Sequence, residues 1–168
     1  LTALRTPAAS ALATDVLART DVRTLGIFGT GVQARGHVEA VLAVRPGIES
    51  ILVYGRTPES GEAFAAGVDA GGRPVVASSA DEVAAADIVC GCTSAAEPVI
   101  PTAAVRPGTH VNLVGSYSTA RREVDDDLVA AASVFVDDRE AAAEESGELI
   151  HAAAGSWSFD RIVGDLAD

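Results

Sequence analysis

Residues 24–34 read Thr-Leu-Gly-Ile-Phe-Gly-Thr-Gly-Val-Gln-Ala, and the order of residue types in this stretch decides the fold class. Leu25, Ile27 and Phe28 form a short apolar run, as expected of a strand buried on both faces of a sheet. Gly29, Gly31 and Ala34 then supply G-x-G-x-x-A, and the chain runs on as VQARGHVEAVLAV with helical spacing. Strand, tight glycine turn and helix together are the context in which this motif signals dinucleotide binding. Gly29 permits the turn, Gly31 carries no Cβ to block a pyrophosphate, and Ala34 lets helix and strand pack closely. The phosphates would rest on bare N–H groups at the helix start, where the dipole favours negative charge. Gly29, Thr30, Gly31, Val32 and Gln33 are therefore the candidate phosphate loop. A glycine turn that merely joins a strand to a helix is the competing reading, and the correct flanking elements favour the coenzyme.

Working outward, strands are expected at residues 51–54, 74–77, 88–92, 110–114 and 133–136, with helices at 58–70, 79–86, 125–132 and 139–146. With the opening strand this predicts an α/β Rossmann-like fold: a doubly wound, mostly parallel six-stranded sheet with helices on both faces. Residues 1–23 form a helix ahead of the first strand, with Thr6 as its N-cap and Pro7 at the first helical position. The dinucleotide-binding domain is expected to span 24–150. Residues 151–168 read as a truncated segment leading to a further domain. The chain begins abruptly and contains no methionine, so a piece of a longer protein is expected.

The carboxyl ends of the strands carry the remaining candidates. Gly55-Arg56-Thr57 follows the second strand, where an NAD-specific site usually places Asp or Glu against the ribose 2′-hydroxyl. Arg56 can instead pair with a 2′-phosphate, which predicts NADP in preference to NAD; a solvated loop arginine is the alternative. Thr93 and Ser94 leave the fourth strand and suit a ribose contact or a cap equally. Val114, Gly115 and Ser116 leave the fifth strand, the place for groups near a nicotinamide.

Composition narrows the function classes. In 168 residues, 24 acidic against 12 basic side chains give a formal charge of −12, so nucleic acid and anionic membranes are not expected partners. Every basic residue is arginine, which excludes a lysine Schiff base within this chain. Cys90 and Cys92 fall on one side of a predicted strand and read as reduced core residues, an expectation of the cytoplasm. His37, His110 and His151 are scattered with no metal-ligand spacing, so no metal is expected. No secretory signal or apolar run of membrane-spanning length occurs.

Several segments together resemble the ornithine cyclodeaminase/mu-crystallin family: LTALRT, LGIFGTGVQAR, VYGRTPE, ADIVCGCTSAAEPVI, PGTHVNLVGS and VFVDDREAAAEESGELIHA. The resemblance implies a Rossmann domain beside a separate substrate and dimerisation domain that lies outside these residues, in a homodimeric parent protein. It implies that Arg5 of LTALRT grips a substrate carboxylate; a solvent-facing arginine at a helix start is the plainer reading. The ornithine cyclodeaminases place a catalytic aspartate two residues beyond the glycine after the fifth strand, in the pattern G-x-D-x-P-G-K. Tyr117 occupies that position here, in Gly115-Ser116-Tyr117-Ser118-Thr119-Ala120-Arg121. A phenol with an ordinary pKa of about 10 is a poor substitute for a carboxylate base. The implied activity is therefore NADPH-dependent reduction of a small cyclic imino acid, or a related amino-acid dehydrogenation. Arg5 and Tyr117 are the catalytic candidates, and the proton donor is expected in the other domain. Conversion of ornithine to proline and ammonia with NAD, and ligand binding of the mu-crystallin type, stand as alternatives.

Overall fold

The computed structural model describes residues 2–166. The chain divides into two compact units, Leu1–Thr93 with Ala103–Val114, and Ser94–Thr102 with Gly115–Asp168.

The first unit is built on β1 (Thr24–Phe28), β2 (Ser50–Tyr54), β3 (Val75–Ala77), β4 (Ile88–Gly91) and β5 (His110–Leu113). All neighbours pair in parallel, in the order β3-β2-β1-β4-β5. The strand order reverses between β1 and β4, so the loops leaving those two strands flank the crevice where such sheets bind ligands. Around the sheet lie α1 (Thr2–Leu17), α2 (Val32–Val44), α3 (Pro58–Gly67) and α4 (Ala80–Ala84). Leu25, Ile27, Ile51 and Val53 share one core with Val38 and Val41 of α2 and Phe64 of α3. Gly26 points the other way, because residues alternate along a strand. A Cβ on Gly26 would stand 2.3 Å from the Val83 carbonyl oxygen, so α4 lies directly on that face. Helices thus cover both faces, as the βαβ pattern predicts.

The start of α1 corrects the sequence reading. The helix begins by Thr2, so Thr6 is not its N-cap and Pro7 sits inside it. Proline in a helix removes one hydrogen bond and normally disrupts the turn before it. Here its ring seats on α2 over Gly36, where an added Cβ would come within 2.7 Å of Pro7 Cγ and 3.3 Å of the Ala3 carbonyl. Packing of α1 on α2 overrides the local preference. Further along, Ser10 Oγ bonds to His37 Nε2 at 2.9 Å, and Asn112 of β5 donates to Thr14 Oγ1 at 2.9 Å. Arg45 ends the helix by donating from Nη2 to the carbonyls of Thr14 and Asp15 at 2.9 and 2.7 Å.

At the amino-terminal edge of the sheet, Asp87 staples β4 to the start of β1. Its Oδ2 accepts from the Arg23 and Thr24 backbone N–H groups and the Thr24 hydroxyl at 2.9–3.0 Å, while Arg19 and Arg106 reach Oδ1 at 3.2 and 3.3 Å. Burial pushes the Asp87 carboxyl up, but the donated hydrogen bonds and the Arg106 charge prevail and hold it below the ordinary carboxylate range. Cys90 is buried in the core; the strand stops at Gly91, and Cys92 packs half-buried against the same core just beyond it.

The second unit contains α5 (Asp126–Ala131), β6 (Val134–Val136), α6 (Arg139–Glu145), α7 (Gly147–Ala153) and β7 (Ile162–Asp165). The expected sixth strand does not join the main sheet, which has five strands; β6 pairs in parallel with β7 in a two-stranded sheet of its own. The reason lies in its surroundings: Phe135 is 41% exposed, so this segment is not the doubly buried strand a central parallel sheet requires. Its partner falls in the segment 151–168, where Ile162–Asp165 has two apolar residues followed by Gly164 and Asp165, types that strands avoid, and so gives no strand signal alone. Arg139 secures the pairing, with Nε 3.4 Å from Asp165 and Nη1 donating to the Ile162 carbonyl at 3.3 Å.

Candidate active site at the switch point

The turn after β1 is held in a shape that residues with a Cβ rarely adopt. Gly29 has φ +106°, and a Cβ there would lie 2.5 Å from the Cys92 carbonyl oxygen. Its N–H donates to the Tyr54 carbonyl at 2.9 Å, while Cys92 N–H donates to the Phe28 carbonyl at 2.8 Å. The exits of β1, β2 and β4 are thereby tied together at the strand-order reversal.

Gly31 lies two residues on and is different. It is the N-cap of α2, with extended backbone and no side-chain capping bond, and a Cβ built on it meets nothing within 4 Å. By contrast α3, α4, α5 and α6 begin with side-chain caps from Thr57, Ser79, Asp125 and Asp138. Among the described residues α7 also lacks a side-chain cap, but its Gly147 N–H donates to the Ser116 carbonyl; the first turn of the thirteen-residue α2 starts instead at a glycine that faces open space. Val32 is exposed beside it and Gln33 half-buried. The donor set is one that a diphosphate fits: neutral amides, a convergent dipole and a Cβ-sized space kept empty.

Arg56 and Thr57 stand at the end of β2, both exposed. Among the described residues Arg56 makes no ion pair, leaving its guanidinium available to an anion. Beside it is a cavity of about 470 Å³ lined by Gly55, Arg56 and Thr57 and, across from them, by Ser78, Ser79 and Glu82. Ser60 and Gly61 pack closely on Gly55 at its edge, where a Cβ would come 2.4 Å from Ser60 Oγ and 2.6 Å from Gly61 N. The Ser79 backbone N–H and hydroxyl donate to the Glu82 carboxylate at 3.0 and 2.8 Å, which holds its pKa below the usual glutamate value. Glu82 is thus an occupied cap at the cavity wall. The far wall, from the exit of β3, escaped the sequence reading because Ser79 and Glu82 signal only a capping box.

The other candidates divide between the two units. In the first, Thr93 follows β4 half-buried, Val114 follows β5, and Arg5 is exposed on the first turns of α1. In the second, Ser94 is exposed, Gly115 and Ser116 are buried, and Tyr117 is 62% exposed with the Arg121 guanidinium 5.1 Å from its ring centroid. Sequence reasoning passed over Glu123 and Glu148, two fully buried carboxyl groups that hold the segment containing Ser116. No local pattern marks them, because their partners lie 8 and 25 residues away. Among the described residues no group of three or more His, Cys, Asp or Glu is placed to hold a metal ion, and no helix is long and apolar enough to cross a membrane.

The architecture recurs in known proteins. The Delta(1)-pyrroline-2-carboxylate reductase of Paracoccus denitrificans is 42% identical over 172 aligned positions, covering 100% of this chain and 54% of that protein. The ketimine reductase mu-crystallin of Mus musculus is 38% identical, covering 92% of this chain and 49% of its own length. The chain therefore spans about half the length of the curated relatives it matches. Among solved structures, the Thermococcus litoralis Delta(1)-pyrroline-2-carboxylate reductase in complex with NADH and L-proline superposes with a TM-score of 0.89 at 38% identity, covering 99% of this chain and 52% of that one. An archaeal alanine dehydrogenase dimer with bound NAD gives 0.91 at 26% identity, covering 98% and 51%. A model of one family matches residues 1–166, and by that match the chain belongs to the ornithine cyclodeaminase/mu-crystallin family.

Proposed function

We propose that this chain is the coenzyme-binding half of an NAD(P)-dependent reductase that converts a small cyclic imino acid, of the pyrroline- or piperideine-carboxylate type, to the amino acid. The observation that carries the reading is the cradle at Gly31: an uncapped thirteen-residue helix whose N-cap residue faces empty space at the sheet's switch point. The names of the relatives point to the same chemistry. The remainder of the parent protein would be a substrate and dimerisation domain that makes it a homodimer.

When bound, the nicotinamide coenzyme supplies the hydride. The N–H groups of residues 31–33 bind its diphosphate, and Thr30 flanks them. Arg56, with Thr57 beside it, binds a ribose 2′-phosphate, which favours NADPH over NADH. Thr93 and Ser94 border a ribose, while Val114, Gly115 and Ser116, continuing from the end of β5, border the nicotinamide. Arg5 offers the planar two-point donor that a substrate carboxylate needs. Tyr117 orients substrate through its phenol; without a carboxylate there, deamination of ornithine lacks its base.

Titration of the full-length protein with NADPH and NADH, alongside Arg56→Ala, tests the coenzyme assignment. NADPH binds roughly tenfold tighter or better in the unaltered protein, the worth of one charge-assisted pair, and the preference collapses in the variant. Equal affinities in the unaltered protein would refute the assignment. NADPH oxidation by Δ1-pyrroline-2-carboxylate tests the reaction.

A further inference from the structure

The segment after β5 turns sharply, and its shape is imposed by two acidic side chains that the chemistry above leaves unused. Glu123 is 0% exposed and Glu148 is 2% exposed. Glu123 Oε2 accepts from the Gly115 N–H at 2.8 Å, so the residue that closes the segment grips the one that opens it. Its own N–H donates to Glu148 Oε1 at 2.8 Å. Its carbonyl accepts from the Val99 and Ile100 N–H groups at 3.0 Å each. On the other side, Gly147 N–H donates to the Ser116 carbonyl at 3.3 Å, and Arg121 N–H closes a turn on the Ser118 carbonyl at 3.0 Å. A Cβ on Gly147 would lie 1.9 Å from the Arg121 carbonyl oxygen and 2.7 Å from that of Ser118, so the segment lies in contact with the start of α7.

Placing two carboxyl groups in the interior is costly unless hydrogen bonds reward it. Here each accepts from a backbone N–H belonging to this one segment or its end, while the second oxygen of Glu148 meets no donor among the described residues. Such an arrangement serves geometry rather than surface charge.

We propose that Glu123, Glu148 and Gly147 are positioning residues that lock the backbone of Gly115, Ser116 and Tyr117 for hydride transfer. The inference rests on the reading above that these three residues border nicotinamide and substrate. The glutamates act as hydrogen-bond acceptors, and neither moves a proton in the reaction. Misplacing such a segment by an ångström costs about 10²-fold in rate while leaving distant binding contacts intact.

The test uses full-length protein with NADPH and Δ1-pyrroline-2-carboxylate, comparing Glu148→Ala, Glu148→Gln and Gly147→Ala. Glutamine keeps an acceptor at the same reach, so Glu148→Gln retains kcat. Glu148→Ala and Gly147→Ala lower kcat by about tenfold or more, raise the primary deuterium isotope effect from 4-deuterated NADPH, and leave its Kd within about twofold of wild type. Gly147→Ala displaces the segment from the opposite side and decides the matter if Glu148→Ala fails to fold. Unchanged kcat in both alanine variants overturns the clamp, as does a loss that tracks the folded fraction with no change in isotope effect. An equal loss in Glu148→Gln and Glu148→Ala overturns the acceptor role. No NADPH oxidation by the unaltered protein removes the proposed reaction and the clamp with it, whereas turnover with insensitive variants removes the clamp alone.

Discussion

Gly29 and Gly31 belong to one motif and carry opposite burdens. At Gly29 the backbone conformation and the nearby Cys92 carbonyl both exclude a side chain, so its glycine is a requirement of folding. At Gly31 the backbone is extended and the space is empty, so folding does not require its glycine, and the proposed coenzyme site does. Gly29→Ala is accordingly expected to cost about 2–4 kcal/mol of stability, from strain and steric overlap together. Gly31→Ser should do the reverse: serine is a favoured N-cap, so stability holds or rises by a few tenths of a kcal/mol. The same side chain fills the cradle, and NADPH affinity falls by about tenfold or more, since it displaces the phosphates from the helix start. Denaturant unfolding with coenzyme titration of both variants checks the pair. A Gly31→Ser protein that binds coenzyme as well as wild type would show that the cradle is not the phosphate site.

Elements whose ends carry their own chemistry were legible in the sequence. The Ser79–Glu82 capping box and the strand–glycine–helix unit set β1, α2 and α4 within a few residues, because each signal acts on backbone next to it. The start of α1 and the partner of β6 were not legible, because both are settled across space. Pro7 is tolerated on account of Gly36, and Val134–Val136 finds Ile162–Asp165 through two intervening helices. The candidate site divides the same way: the glycine turn and helix start of the proposed phosphate loop are local, whereas the buried glutamates answer to distant amides. The α1–α2 and α1–β5 contacts also carry a pH dependence. His37 Nδ1–H donates to the Gln33 carbonyl at 2.8 Å, leaving Nε2 to accept from Ser10, so the ring is held neutral, and desolvation lowers its pKa. Desolvation likewise lowers His110, which bonds to Asn112. With folded values below the unfolded 6.5, the unfolded chain takes up protons first. The contribution is complete above pH 6.5 and is lost as pH falls below it, with a slope of up to about 1.4 kcal/mol per pH unit for each histidine. Urea midpoints between pH 7.5 and 5.5 should fall, and fall less steeply in His37→Gln. A flat wild-type profile would contradict the buried neutral ring.

For the whole molecule the governing quantity is charge. With 24 acidic and 12 basic side chains, pairing cannot neutralise the surface even where it is dense. Asp87 takes Arg19 and Arg106, and Arg122 lies between Glu97 and Asp126, yet carboxylates outnumber guanidiniums two to one. Two effects of added salt then compete. Screening weakens the exposed pairs, each worth less than about 1 kcal/mol, and it relieves repulsion summed over a formal charge of −12. Raising ionic strength from 0.01 to 0.15 M shortens the screening length from about 30 to about 8 Å, so repulsion between distant carboxylates disappears while contacts at 3 Å persist. Repulsion is the larger quantity, and the melting temperature at pH 8 should rise by about 2–5 °C over that range. Sodium and choline chloride should act alike if the effect is screening and not cation binding. A melting temperature that falls with salt would mean that the arginine pairs outweigh the acidic field, with Asp87→Asn then the variant that removes the salt response.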